Sequence, residues 1–314
     1  MDTITIREEF VELMVFEPLL TRIKSGDKPQ HDDYSVLSDL SLQEANSVLQ
    51  QLAGGDLERR REFLLHLIDI AGDDVAMDFT QVFTAFIHDK DYMIRSLAIS
   101  GLWECERSDL IADFIGMIKN DESDTVRISA AIALGRFTML GANGNLKQEY
   151  NDRIELTLME IMNATDPAEE LWRHCLEAVA PYNARGVEDS IKYALNSGDY
   201  LLRISGLQAA SRSSKESWLQ QILPHLKDSE SSVRTNAAKA CGELETDEAV
   251  LYLLPLIQDE NEEVRMTALR SLATIGGDFV NKILSEQQDS DDEDVAEFAK
   301  RVLSGEGFEE DTML

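Results

Sequence analysis

One element recurs along this chain: an apolar residue, then Arg, then a small residue three positions further on. It reads IRSLAISGL from Ile94 to Leu102, VRISAAIAL from Val126 to Leu134 and LRISGLQAA from Leu202 to Ala210. It returns as VRTNAAKAC from Val233 to Cys241 and VRMTALRSL from Val264 to Leu272. A weaker copy, WRHCLEAVA, carries Arg173. The arginines Arg95, Arg127, Arg173, Arg203, Arg234 and Arg265 follow one another at 32, 46, 30, 31 and 31 residues. Self-similarity at such a period marks stacked supersecondary units, none of which can bury its apolar face alone. The one long interval contains MLGANGNLKQEY, Met139 to Tyr150, whose Gly and Asn content predicts a loop inserted in one unit. Another 31 residues beyond Arg265 stands Ala296, where Val295, Ala299 and Leu303 keep the apolar pattern without the Arg.

Two more features share the register. Asp lies six residues before Arg in four copies, as Asp89, Asp121, Asp228 and Asp259, and Pro224 and Pro255 each precede such an Asp by four. The Asp is expected to open the second helix of a hairpin, its carboxylate accepting free backbone N–H groups and complementing the helix dipole. The apolar residue before Arg and the small residue after it are four apart, so they share a helix face. Ala98, Ala130, Gly206, Ala237 and Ala268 then let the preceding helix come close, and Leu102, Leu134 and Leu272 extend the buried stripe. Apolar stretches such as WLQQILPHLKD and AVLYLLPLIQD before each Asp supply the first helix. The repeated Arg reaches the Asp of a neighbouring unit, a ladder of charge-assisted bonds. This set (Asp89, Arg95, Asp121, Arg127, Arg173, Arg203, Asp228, Arg234, Asp259, Arg265) is expected to maintain the fold rather than to touch a ligand.

The Asp-x5-Arg pairs, the Val or Ile before Arg, the Ala after it and the two prolines resemble the HEAT repeat family, and look most like the short prokaryotic variant seen in phycobilisome-lyase-type HEAT-like proteins. The resemblance is clear from about residue 75 to 303. It implies an all-α fold, a right-handed α-solenoid (armadillo/HEAT-like superhelix) of about seven helix hairpins whose second helices line a concave surface. It also implies a protein-binding scaffold or adaptor. Relatives of other kinds supply two alternatives: a lyase or chaperone-lyase acting on a pigment-bearing protein, and a nucleic-acid-handling protein such as the HEAT-like DNA glycosylases. Fold alone does not choose among them.

The ends are less regular. Residues 1–40 read as an N-terminal helix, Ile6 to Ile23, followed by a polar linker, SGDKPQHDD. The solenoid spans 41–303, and its first hairpin is a divergent cap: Ser41 and Glu44 form a capping signature, and Asp56 opens a helix through Arg59, Arg60 and Arg61. These three arginines read either as an anion-binding patch or as a solvated face of the cap. Residues 304–314 read as a disordered acidic tail. DSDDED, Asp289 to Asp294, is not a calcium loop, because position 6 is Asp294 rather than Gly and position 12 is Lys300 rather than Glu.

Charge narrows the function. The chain carries 60 acidic and 29 basic residues, net −31, a field that repels phosphate backbones and anionic membranes. The expected partner is therefore another protein, with no nucleic acid and no membrane. Three dispersed cysteines, Cys105, Cys175 and Cys241, fit reduced thiols in a cytoplasmic protein, and the N-terminus lacks the basic region of a signal peptide. No nucleophile, metal-ligand or phosphate-loop motif is present, so no catalytic residue, metal or cofactor is assigned. His174 and Cys175 are adjacent and point about 100° apart on a helix, which separates them as ligands. Counting from each Arg, positions +5 and +9 face partly away from the core and are richer in cations than the chain as a whole. Arg136, Arg212, Lys239 and Arg270, with Tyr182 and Gln208, are the expected binding residues on the concave face.

Overall fold

The structure, a computed structural model, describes residues 16–27, 29–165 and 167–305. All regular secondary structure in them is helical. The expected helix from Ile6 is described only over 16–25 (α1), its earlier part and the acidic tail beyond Gly305 lying outside the described residues. The polar linker is shorter than expected, because a 3-10 helix already begins at His31 and runs to Leu37. Two compact units divide the chain, one up to Thr157 and one from Leu158.

In the first unit, α2 (Leu42–Leu52) and α3 (Leu57–Asp73) form the capping hairpin, with the Ser41–Glu44 capping box in place. The helices α4 (Thr80–Phe86) and α5 (Tyr92–Ser100), then α6 (Ile111–Asn120) and α7 (Asp124–Ala142), make the next two hairpins. The second helices α3, α5 and α7 pack successively on one another. The stretch Met139–Tyr150, expected as an inserted loop, is helical at both ends. The helix α7 runs to Ala142 and α8 (Gln148–Met162) starts three residues after Asn145, so the extra length is mostly added helix.

The second unit contains α9 (Glu169–Val179), α10 (Val187–Leu195), α11 (Tyr200–Arg212), α12 (Leu219–Ile222) and α13 (Ser231–Glu243). It continues with α14 (Asp247–Leu253), α15 (Glu262–Ile275), α16 (Gly277–Gln287) and α17 (Glu293–Ser304). Here α9, α11, α13, α15 and α17 stack in order. The two prolines shape the first helices: α12 and α14 pass into 3-10 turns at Leu223–Lys227 and Leu254–Gln258, because proline removes an amide donor and tightens the last turn. The small residues do what their position requires. A Cβ on Gly206 would lie 2.8 Å from the Leu195 backbone nitrogen, so α10 rests directly on α11.

The ladder is present, but the aspartates hold a different place in it. The N-caps are Asp91, Ser123, Glu230 and Asn261, two residues after the expected Asp89, Asp121, Asp228 and Asp259. Each ladder Asp instead turns the chain: its Oδ1 accepts the N–H two residues on, at 2.9–3.0 Å. In the complete rungs the carboxylate also receives the Arg of the preceding hairpin. Arg95 meets Asp121, Arg203 meets Asp228 and Arg234 meets Asp259, each through Nε and Nη2 at 2.7–3.0 Å. The remaining Nη1 of each donates to two carbonyls of its own turn, as Arg234 does to Asp228 and Ser229. One guanidinium thus clamps its own hairpin and binds the next. Arg265 closes the series on Asp292 at 2.9 Å, so the acidic run that mimics a calcium loop supplies a rung and the N-cap of α17. Arg127, expected to reach a neighbouring unit, instead bonds the Ile118 carbonyl and Asp124 of its own hairpin and makes no rung among the described residues.

The arginine triplet of the cap belongs to this system too. Arg60 pairs with Asp89 and Arg61 with Asp91, while Arg59 reaches the Lys24 carbonyl, which corrects the reading of the triplet as an anion patch or a solvated face.

Four of these carboxylates, Asp91, Asp228, Asp259 and Asp292, are held below their ordinary pKa. The Arg234 guanidinium does this for Asp259, the Arg61 guanidinium for Asp91, and the Val295 N–H with Arg265 for Asp292. At Asp228 burial opposes ionisation, but the Glu230 N–H and Arg203 outweigh it. A carboxyl whose folded pKa is lowered adds stability above its unfolded value, about 3.9, and that stability is lost as pH falls through the folded value. The urea midpoint should therefore change little from neutrality to about pH 5 and fall steeply below about pH 4. Asp259→Asn should lower the neutral-pH midpoint and flatten the acid limb. An acid limb as steep as that of the unaltered protein would remove Asp259 from the account.

Candidate functional site

The backbone defines a register. In every second helix one residue donates its N–H to the N-cap carbonyl four positions back: Arg60, Arg95, Arg127, Trp172, Arg203, Arg234, Arg265 and Ala296. From Trp172 onward the interval is 31 residues at each step. The described residues thus hold eight register positions, where about seven hairpins were expected. Trp172, not Arg173, occupies the ladder position of α9, which removes Arg173 from the ladder. The place of the Asp on the following turn is taken by Ser197, whose hydroxyl accepts the Asp199 N–H at 3.0 Å. Both halves of this rung are replaced together. In place of a salt bridge, Trp172 packs edge-on against Tyr193, their centroids 5.9 Å apart. Tyr193 stands at the position that Pro224 and Pro255 hold in the next two hairpins.

Moving the register by one residue rewrites the face of the second helices in this unit. Position +5 now reads Glu177, Gln208, Lys239 and Arg270, and position +2 reads His174, Ser205, Asn236 and Thr267. These two rows touch across neighbouring helices. The Gln208 amide donates to Asn236 at 3.0 Å. His174 Nδ1 lies 3.1 Å from Glu177 Oε2, on the same helix. Glu177 is only 7% exposed, so its charge needs partners. Burial pushes its carboxyl up, but His174, the Ser205 hydroxyl and the nearby Arg212 more than compensate and hold it below the usual carboxylate range. Arg173 lies beside this group, its Nη1 3.5 Å from the buried Ser205 hydroxyl. Arg212 closes the other end, 3.5 Å from the Glu177 carbonyl.

The expected binding residues fall in both units. Arg212, Lys239, Arg270 and Gln208 lie on this one face of the second unit, on α11, α13 and α15. Lys239 is exposed and 3.8 Å from Glu243. Arg270 makes no ion pair among the described residues. Tyr182 is half-buried at the end of the turn Ala180–Tyr182, one position past the row to which it was assigned. Arg136 belongs to the other unit, where it pairs with Glu106 at 3.2 Å. Arg173, His174 and Glu177 were missed as site residues. The signal that finds them is the unbroken 31-residue interval from Trp172, which aligning Arg with Arg concealed.

The thiols are poor chemical groups. Cys175 and Cys241 are fully buried, and burial pushes Cys241 up to about 12. Among the described residues no group of three His, Cys, Asp or Glu side chains is placed to hold a metal, and no helix is long and apolar enough to cross a membrane.

Residues 219–304, the hairpins from α12 to α17, match the family of HEAT repeats. No curated protein sequence matches the chain. Among solved structures it is similar to human deoxyhypusine hydroxylase in complex with glycerol, at 17% identity over 84% of this chain and 96% of that one, TM-score 0.37. It is also similar to YibA of Escherichia coli, at 16% identity over 92% and 96% of the two chains, TM-score 0.44. Importin beta matches at 14% identity over 96% of this chain and 47% of that one, TM-score 0.48.

The aromatic replacement of one rung makes a testable claim about register. Trp172→Arg alone should destabilise the second unit, because the new guanidinium faces Ser197. Adding Ser197→Asp should recover part of that loss, with a coupling of at least about 0.5 kcal/mol between the two changes. Additive effects in urea denaturation would show that 172 and 197 are not rung positions.

Proposed function

We propose that this protein is a non-catalytic scaffold that binds another protein along the second-helix face of its hairpins. The observation that carries this reading is the alignment of Glu177, Gln208, Lys239 and Arg270 at one register position of four consecutive second helices. A stack of hairpins repeats its surface as well as its core, so side chains at one position form a continuous strip. On that strip Arg173, Arg212, Lys239 and Arg270 stand against Glu177 and Glu243, a local excess of cations in a chain of net charge −31. A partner with acidic or mixed-charge side chains fits such a strip, and its surroundings repel less well-matched anions. The lyase-type alternative needs an apolar pocket with a reactive group. It is the weaker reading because two of the three thiols are sealed in the core. The reduced cysteines suit a cytoplasmic setting.

The test is the triple variant Arg212→Gln, Lys239→Gln, Arg270→Gln, compared with the unaltered protein against a partner recovered by affinity capture. Exposed charge pairs contribute roughly 0–1 kcal/mol each, so the three together should weaken binding about tenfold. The salt dependence should fall with it. Arg136→Gln in the other unit is measured separately. Unchanged affinity and unchanged salt dependence in the triple variant would take this face out of the binding function.

A further inference from the structure

Each complete rung of the ladder sets a guanidinium against a carboxylate, and Arg173 departs from this. Displaced from the ladder by Trp172, it lies on the second-helix face between α9 and α11. It donates to the neutral Ser205 hydroxyl at 3.5 Å, the outer limit of a hydrogen bond. Its Nε is buried and bonds no described residue. Arg212 makes one long hydrogen bond, to the Glu177 carbonyl, and attracts the Glu177 carboxylate through space without an ion-pair contact. The carboxylate between them is already engaged by His174. Arg173 and the Arg212 contact at the Glu177 carbonyl are four residues apart on α9, about 6 Å at 1.5 Å per residue, so the two guanidinia serve neighbouring turns of one face. A guanidinium offers five donors in a fixed fork suited to a carboxylate, and a half-buried one gains more from such a partner than an exposed one does.

We propose that this face between α9 and α11 is the anchoring point for an acidic segment of the protein partner, with Arg173 and Arg212 each receiving one carboxylate. This rests on the second-helix face being the binding surface. Two isolated arginines in a strongly acidic chain lack the extended basic track that a nucleic-acid backbone requires.

The experiment uses the full chain and a fluorescein-labelled hexaglutamate peptide, followed by anisotropy at low ionic strength. Saturable binding is expected, at least tenfold weaker in Arg173→Gln and in Arg212→Gln, partly kept in Arg173→Lys, and unchanged in Arg185→Gln, an exposed arginine off this face. The thermal midpoint of Arg173→Gln should equal that of the unaltered protein. Absence of binding, equal affinity in Arg173→Gln, or a midpoint lowered as in a ladder variant would each overturn the proposal. So would displacement of the peptide by inorganic phosphate at matched ionic strength, which would make the Arg173–Arg212 pair a phosphate site. If Lys239→Gln with Arg270→Gln abolishes peptide binding while Arg173→Gln does not, the anchor fails and the face reading stands. If the face variants leave partner capture unchanged, the face reading itself fails.

Discussion

A guanidinium that serves two hairpins at once is the interaction on which this fold depends. Through Nη1 it bonds two carbonyls of its own turn, and through Nε and Nη2 it holds the Asp of the next turn. Arg and Asp side chains in these rungs are about 10–13% exposed, so the pairs are largely removed from water and poorly screened. Removing one partner of such a pair leaves the other buried without compensation, which costs more than the pair itself contributes. The apolar stripe supplies most of the burial but is not directional. The ladder fixes how far one hairpin is rotated and advanced relative to the last, and so fixes which side chains share a surface.

The all-α class, the hairpin unit and the buried identities of Ile94, Val126, Val233 and Val264 were legible because a 31-residue period with small residues at fixed offsets has few physical explanations. The pairs Arg95–Asp121, Arg203–Asp228 and Arg234–Asp259 were legible for the same reason. The role of the ladder aspartates was misread, since an Asp near a helix start serves equally well as an N-cap or as the first residue of an Asx turn two positions earlier. Sequence spacing does not separate these by itself. The first rung was hidden because Arg60 sits 35 residues before Arg95, off the common interval, within a run of three arginines. Trp172 was hidden because a search for Arg aligns Arg173, although the geometry of α9 counts from its N-cap. That one-residue error placed Tyr182 in the row of expected binding residues and left Glu177 out of it.

Function follows from the same repetition. Where a ladder rung forms it occupies the turn edge of the hairpin, leaving the second-helix face free to vary. In the second unit that face carries linked amides, hydroxyls and charges: Gln208 with Asn236, and Glu177 with His174 and Ser205. The one hairpin that gives up its rung for an aromatic pair turns its arginine toward this face. Ladder and proposed binding face are thus set by alternative uses of the same kind of residue, separated by one position in the helix.

The most direct test of the ladder as organising interaction is a double-mutant cycle on Arg234 and Asp259, measured by urea denaturation at neutral pH. Arg234→Ala and Asp259→Ala should each destabilise the protein. The double variant should be less destabilised than the sum of the two, by a coupling of about 1–3 kcal/mol. Strict additivity, with a coupling near zero, would show that the rung is incidental to the stack and that apolar packing alone sets the register.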